Sequence, residues 1–317
     1  MRYALMTEPQ QGLSYDEILA IARTAEEAGI EAFFRSDHYA SFPGESGLPT
    51  TDAWTTLAGL ARETSTIRLG VLVSPVTFRI PGSLAKVIQT TDEMSGGRVE
   101  AGFGAGWNAD EHAQLGIGFP PIGERYDRLE EQMAIIHGLW TEPEGWSFEG
   151  RHWQVRGSKR HGEIARGGRR HPHVLFGGKG GPRLAALVAR YGDEFNLNSA
   201  SPDAAPEAYA RVRAACAEVG RDPDDVVYSA MTGVLVADTE EDLRARVADL
   251  MSALGQDGGD AEAWLAERRR RWIIGTPEEA FERIAALEGA GVQRVMLQDF
   301  LPRDLDHVRL IGRIFTG

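Results

Sequence analysis

Ser14 to Tyr39, SYDEILAIARTAEEAGIEAFFRSDHY, carries one full turn of the pattern that decides the fold. Ser14 stands three residues before Glu17, the spacing of a capping box that starts a helix. Ile18, Ala22, Ala25 and Gly29 then step by four, three and four, so one face of that helix must pack against something. Ala28-Gly29 supplies a left-handed stop, and Ala32–Arg35 follows as a short apolar strand. The strand runs out into Arg35-Ser36-Asp37-His38-Tyr39, a polar exit directly after a buried run.

The same unit recurs outward from this stretch. Strand-like runs occur near Tyr3–Met6, Ala32–Arg35, Ile67–Val73, Val99–Phe103, Val174–Phe176, Glu194–Leu197, Val227–Val236 and Val292–Leu297. Helical faces lie between them, as in Tyr126, Leu129, Met133, Ile136 and Trp140, and in Leu243, Val247, Leu250 and Leu254. Thr276, Pro277 and Glu279 read as a second helix start, and Ala290-Gly291 as a second stop before a strand. Eight strands, each followed by a helix, predict an α/β chain folded as a single-domain (β/α)8 barrel over 1–317. A doubly wound parallel sheet is the competing arrangement. Variable insertions fall near 141–170 and 255–271, and Trp146 to Val155 reads as a hairpin ahead of the fifth strand.

Composition removes several classes. The 317 residues are 42% hydrophobic and 26% charged, which is ordinary for a globular chain and excludes disorder and collagen. A net charge of −13 argues against a nucleic-acid or membrane-surface binder. One cysteine, Cys216, excludes a disulfide framework. No apolar run approaches the length of a membrane span and the first residues lack a leader's apolar core, so a cytoplasmic protein is expected.

In a β/α barrel the chemistry sits at the carboxyl ends of the strands. There, Asp37 beside His38 is either a carboxylate tuning an imidazole or a surface pair. Ser74-Pro75-Val76-Thr77-Phe78-Arg79 after the third strand either ends it or holds backbone against a planar ligand. Gly102-Phe103-Gly104-Ala105-Gly106-Trp107-Asn108 fails the dinucleotide fingerprint, because Trp107 stands where the third glycine belongs. Gly177-Gly178-Lys179-Gly180-Gly181-Pro182 before a helix reads as an anion cradle, though not a Walker loop. Residues 151–173 hold seven arginines and lysines against Glu163 alone, a basic island on an acidic chain. His171-Pro172-His173 enters the fifth strand from the bottom, so no metal centre is expected. No nucleophile elbow occurs.

In order, these pieces resemble the luciferase-like monooxygenase superfamily, within it the coenzyme F420-dependent oxidoreductases. Further matching pieces are Asp92 to Arg98, Glu111-His112, Phe119 to Arg125, Leu139-Trp140, Tyr191-Gly192-Asp193 and Ile274 to Pro277. The resemblance implies a deazaflavin or flavin ring at the top of a barrel, with F420 as cofactor and FMN as the alternative. It implies His38 as the catalytic acid/base with Asp37 as its orienting partner and a cofactor contact. It places a non-prolyl cis peptide at Leu72–Val73, with Ser74 the alternative, against the ring. Gly106, Asn108 and Gly177, Gly178, Lys179, Gly180 and Gly181 complete the expected cofactor contacts, the last group holding phosphate. Tyr39 and Trp107 are expected to line the substrate pocket. Sugar-phosphate dehydrogenases of that branch carry an acid where this chain has Trp107, which argues against a sugar phosphate. The expected activity is hydride transfer between F420 and a small organic substrate. The alternatives are a two-component FMN-dependent monooxygenase and a non-catalytic flavin- or deazaflavin-binding protein. A homodimer is expected, with a separate reductase if the cofactor is used reduced.

Overall fold

The computed structural model describes every residue except 43, 44, 46, 160–170 and 257. The first half of the chain runs β1 (Arg2–Thr7), α1 (Tyr15–Glu27), β2 (Ala32–Arg35), α2 (Ala53–Glu63), β3 (Arg68–Pro75), α3 (Pro81–Ser95) and β4 (Val99–Gly104). Two helices follow, α4 (Ala109–Gln114) and α5 (Ile122–Thr141), then an antiparallel hairpin of β5 (Trp146–Glu149) and β6 (Gln154–Ser158). Alternation resumes with β7 (His173–Gly178), α6 (Pro182–Tyr191), β8 (Glu194–Leu197), α7 (Ala205–Glu218) and β9 (Val227–Val236). The chain ends with α8 (Glu240–Ala253), α9 (Ala261–Arg268), β10 (Ile273–Gly275), α10 (Pro277–Gly289), β11 (Arg294–Asp299) and α11 (Leu305–Thr316).

Eight parallel strands pair in the order β9, β11, β1, β2, β3, β4, β7, β8, and a β8–β9 pairing closes the ring. The doubly wound alternative is thereby excluded. β10 is a ninth strand absent from the sequence reading. It pairs Ile273 with Val234 while Val234 also pairs with Asp299, so β10 lies on the side of β9 away from β11. Three residues are too few to show a period. β3 continues through Ser74 and Pro75, two residues beyond the expected end, and the hairpin reaches Ser158 rather than Val155.

Local signals act where expected. The Glu17 carboxylate accepts from the Ser14 N–H at 2.8 Å, and Ser14 Oγ accepts from the Glu17 N–H. Glu279 accepts from the Thr276 N–H at 2.9 Å. Alternation then sorts each strand into two layers. Leu5, Phe33, Leu69, Phe103 and Phe195 face the helices, while Ala4, Met6, Phe34, Leu175 and Met296 fill the barrel. Inside the barrel at the strand starts, Glu100, His173, Glu194 and Arg294 form a buried charged floor. The carboxyl ends are left as the end of the barrel where a ligand meets half-buried side chains.

Candidate active site

The period-two rule separates Asp37 from His38 at the exit of β2. Phe34 points into the barrel, so Ser36 and His38 face the mouth and Asp37 faces away. The Asp37 carboxylate is buried against Arg79, with contacts of 2.5 and 3.1 Å. Arg79 also pairs with Asp52 and donates to the Tyr39 hydroxyl at 2.8 Å. Tyr39 in turn donates to Asp52 at 2.7 Å and stacks its ring on Phe78. Burial works against the Asp52 charge, yet Arg79 and the Thr55 N–H hold its carboxyl well below the usual range. Burial and the nearby Asp37 push the Tyr39 phenol up. Two expectations are corrected here. Asp37 does not orient His38, and the polar end of Tyr39 is spent inside this cluster rather than in the pocket.

The partner of His38 is Glu111 on α4. Its buried carboxylate meets His38 Nδ1 at 2.9 and 3.2 Å and accepts the Tyr39 N–H at 3.0 Å. A carboxylate on Nδ1 leaves Nε2 as the atom that can give or take a proton. The imidazole meets Phe42 and Trp107 edge to face, at 4.5 and 5.6 Å between centroids. Trp107 is 64% exposed, the flat face on this side of the mouth. His112 gives Nδ1–H to the Asn108 carbonyl and bonds the Thr77 hydroxyl through Nε2, both at 2.6 Å. A carbonyl only accepts, so Nδ1 carries a proton.

The β3 exit contains the cis peptide at Leu72–Val73. Val73 projects over strands where side chains are missing. A Cβ on Gly104 would lie 2.6 Å from Val73 Cγ2, and one on Gly177 2.8 Å from Val73 Cγ1. The glycines of β4 and β7 are therefore seats for Val73, and Gly177 belongs to this floor rather than to an anion cradle. Ser74 is also reassigned, since its buried hydroxyl accepts from Trp54 Nε1 at 2.8 Å in the helix layer. Gly106 has a left-handed φ of 74°, and its carbonyl accepts from Arg125 at 2.5 Å. The Asn108 side chain caps α4 through the Asp110 N–H at 3.2 Å. Both shape the β4 loop around Trp107, and their expected ligand contacts would come from backbone and from the Asn108 amide nitrogen. Gly178 to Gly181 lead into the start of α6, where Gly181 is the N-cap. Lys179 is exposed there and makes no hydrogen bond or ion pair among the described residues.

Sequence reasoning missed the polar wall between β11 and β2. Glu8 is buried at the mouth, accepting from Gln10 Nε2 at 2.7 Å and Gln298 Nε2 at 2.5 Å. Ser36 donates to Gln10 Oε1 at 2.6 Å. Extending the inward set Ala4, Met6 by two residues reaches Glu8, so this signal was present. Most of the basic island lies outside the described residues. Arg156 and Lys159 are described, and they line a groove with α3 and the end of α5, on the outer flank. Among the described residues one trio could ligate a metal, Glu100, His173 and Glu194, but Arg294 already occupies it as counter-ion. No helix among the described residues is long and apolar enough to cross a membrane.

A closed parallel barrel with a histidine–carboxylate pair and a bulged third strand at its mouth is the architecture of a β/α-barrel enzyme. The chain belongs to the luciferase-like monooxygenase family, whose model matches residues 1–294. It is 30% identical over 185 residues to the F420-dependent glucose-6-phosphate dehydrogenase of Amycolatopsis mediterranei, covering 58% of this chain and 53% of that protein. It is 28% identical over 270 residues to pyrimidine monooxygenase RutA of Stutzerimonas stutzeri, covering 82% and 71%. The chain thus spans about half the length of some curated relatives. An F420-dependent secondary alcohol dehydrogenase in complex with an F420-acetone adduct superposes with a TM-score of 0.81 at 18% identity, covering 99% of this chain and 98% of that one. That likeness shows the fold. The relatives named here are a dehydrogenase and a monooxygenase.

Proposed function

We propose that the chain transfers hydride between coenzyme F420 and a small organic substrate, with His38 as the acid/base. The observation that carries this reading is the His38–Glu111 pair. It leaves a single ring nitrogen free at the mouth, beside the Val73 floor and the Trp107 face. A deazaflavin bound there would supply the hydride-carrying carbon and no oxygen chemistry. The residues present fit such a ring. Val73 on its glycine seats offers an apolar rest, and the Gly178–Gly181 backbone with Lys179 offers donors for a phosphate. Glu111 fixes the imidazole so that Nε2 meets the substrate oxygen, protonating it in reduction and deprotonating it in oxidation. A carbonyl reduced here would gain the hydride and the His38 proton, becoming an alcohol as reduced F420 loses two electrons.

The F420-dependent relative supports this cofactor, and the likeness to RutA favours an FMN-dependent monooxygenase as the second reading. Paired equilibrium titrations with F420 and FMN separate them. F420 binding at micromolar concentration with much weaker FMN binding is expected, and the reverse order would move the chain to the second reading. His38→Ala should keep F420 affinity while turnover falls about 10²- to 10⁴-fold. A homodimer and a separate F420 reductase accompany this proposal, and sedimentation of the purified chain tests the first.

A further inference from the structure

The far side of the mouth carries a second aromatic wall. Gly233 on β9 has no side chain, and a Cβ there would sit 2.2 Å from the Trp272 ring. The Trp272 indole therefore lies directly over the β9 backbone at the rim. It stacks on Phe300, the residue after β11, at 5.1 Å and 12°. Trp264 meets Trp272 edge on, and the Arg268 guanidinium covers the Trp264 face at 3.9 Å, so the stack is braced from behind. Strand order fixes where this wall stands. Around the closed ring β9 is four strands from β3 by either route, and β11 is four strands from β4. Trp272 and Phe300 therefore face Val73 and Trp107 across the opening.

One polar feature of this wall is unmatched. Within the stack Trp264 Nε1 donates to Gln256 at 2.9 Å, whereas Trp272 Nε1 has no acceptor among the described residues. Both Trp272 and Phe300 are half-buried. A cavity of about 640 Å³ opens beside Phe300, between Leu48, Leu301 and the charged Glu45, Arg303 and Asp304, and Trp272 does not line it. Two opposed aromatic walls suit a flat body, and a free indole N–H suits an acceptor at its edge.

We propose that the Trp272–Phe300 wall selects a flat, apolar carbonyl compound, or the matching alcohol, as the substrate. This rests on the hydride-transfer reading of the same mouth, but its test is made without cofactor. The probe is menadione, a flat bicyclic dione, titrated calorimetrically into the purified full chain, with glucose 6-phosphate as the contrasting ligand. Saturable menadione binding is expected, with none for glucose 6-phosphate. Trp272→Ala and Phe300→Ala should each weaken menadione binding about tenfold or more, and Trp272→Phe should restore most of it. Thermal melts and F420 titrations of each variant separate loss of the wall from loss of the fold. Glucose 6-phosphate binding tighter than menadione, or unchanged menadione affinity in both alanine variants, overturns the inference. If F420 fails to bind while menadione binds in a Trp272-dependent way, the wall stands and the cofactor reading falls. If F420 binds and menadione does not, only the substrate class is lost.

Discussion

At the amino ends of the strands Glu100, Glu194, His173 and Arg294 form a closed set. At the carboxyl ends Glu8, Glu111 and His38 face space a ligand can enter. Both ends bury two carboxylates and a histidine, so residue type alone does not separate them. Arg294 makes the difference. It donates to Glu100 at 2.6 and 3.2 Å and to Glu194 at 3.0 Å, and it is 0% exposed. Burial opposes its charge, but Glu100 and Glu194 push its pKa above even the ordinary arginine value. Each carboxylate at this floor is held low by the same guanidinium, against the pull of burial. At the mouth the arginines stand behind the wall, Arg79 on Asp37 and Arg35 on Thr51 and Thr56. His38 and Glu8 are left with neutral or acidic partners. A compensated cluster is a structural part, and an uncompensated one is where chemistry can be done.

The largest expected effect breaks the floor. Arg294→Met leaves Glu100 with Arg68 and Glu194 with His173, both short of their shared buried counter-ion, and should cost about 3–5 kcal/mol of stability in urea unfolding. If the variant keeps wild-type stability, the floor is not the closed set described. At the mouth, Glu111→Gln removes the charged partner of His38 while keeping its shape. The loss of one hydrogen bond to a charged group, about 1.5–3 kcal/mol, should appear as a roughly tenfold to hundredfold fall in kcat. F420 affinity and the urea midpoint should hardly move. A kcat drop for Asp37→Asn without loss of stability, with none for Glu111→Gln, would return the orienting role to Asp37.

Ser74→Ala sharpens the comparison within the mouth itself. Its hydroxyl is the acceptor for the buried Trp54 N–H, so its removal should cost about 1–3 kcal/mol in stability and leave F420 titrations unchanged. A tenfold loss of F420 affinity would make Ser74 a cofactor contact after all.

The reassignments of Ser74 and Asp37 show how far the sequence could be read. The eight barrel strands were legible because each is an apolar run bounded by helical periodicity. β10 was not, because three residues between Trp272 and Thr276 carry no period. The separation of Asp37 from His38 follows from strand alternation, a rule that needs only the order of the residues. The pairing of His38 with Glu111, 73 residues away, needs the loop after β4 to fold back over the mouth. Gly104 read as part of a failed fingerprint and Gly177 as part of an anion cradle, and only the position of Val73 shows that a side chain fills the space above both. Trp272 was invisible for the reverse reason. What matters is Gly233 beneath it, and a single glycine in a strand names no partner.

The smallest expected effect is a slope with pH, and it belongs to the floor alone. His173 Nε2 bonds Glu194 at 3.0 Å, with Glu100, Asp193 and Arg294 around it. Burial disfavours its charge, but the hydrogen bond to Glu194 and the field of Glu100 outweigh this and raise its pKa. A group with a raised folded pKa stabilises fully below its unfolded value, about 6.5, and loses that contribution as pH climbs through the folded value. Glu100 and Glu194 run the other way. Their folded pKa values are depressed, so their contribution is present above about 4.3 and fades in acid. Urea unfolding of wild type and His173→Gln at several pH values above 6 therefore has a definite expected result. The gap between the two should be widest at the acid end of that series and close as pH rises. F420 affinity at fixed pH should be the same in both, because the ring lies at the opposite end of the barrel from the proposed cofactor. A gap that widens with pH would mean that His173 is neutral in the fold, and the floor would then be held by Arg294 and Arg68.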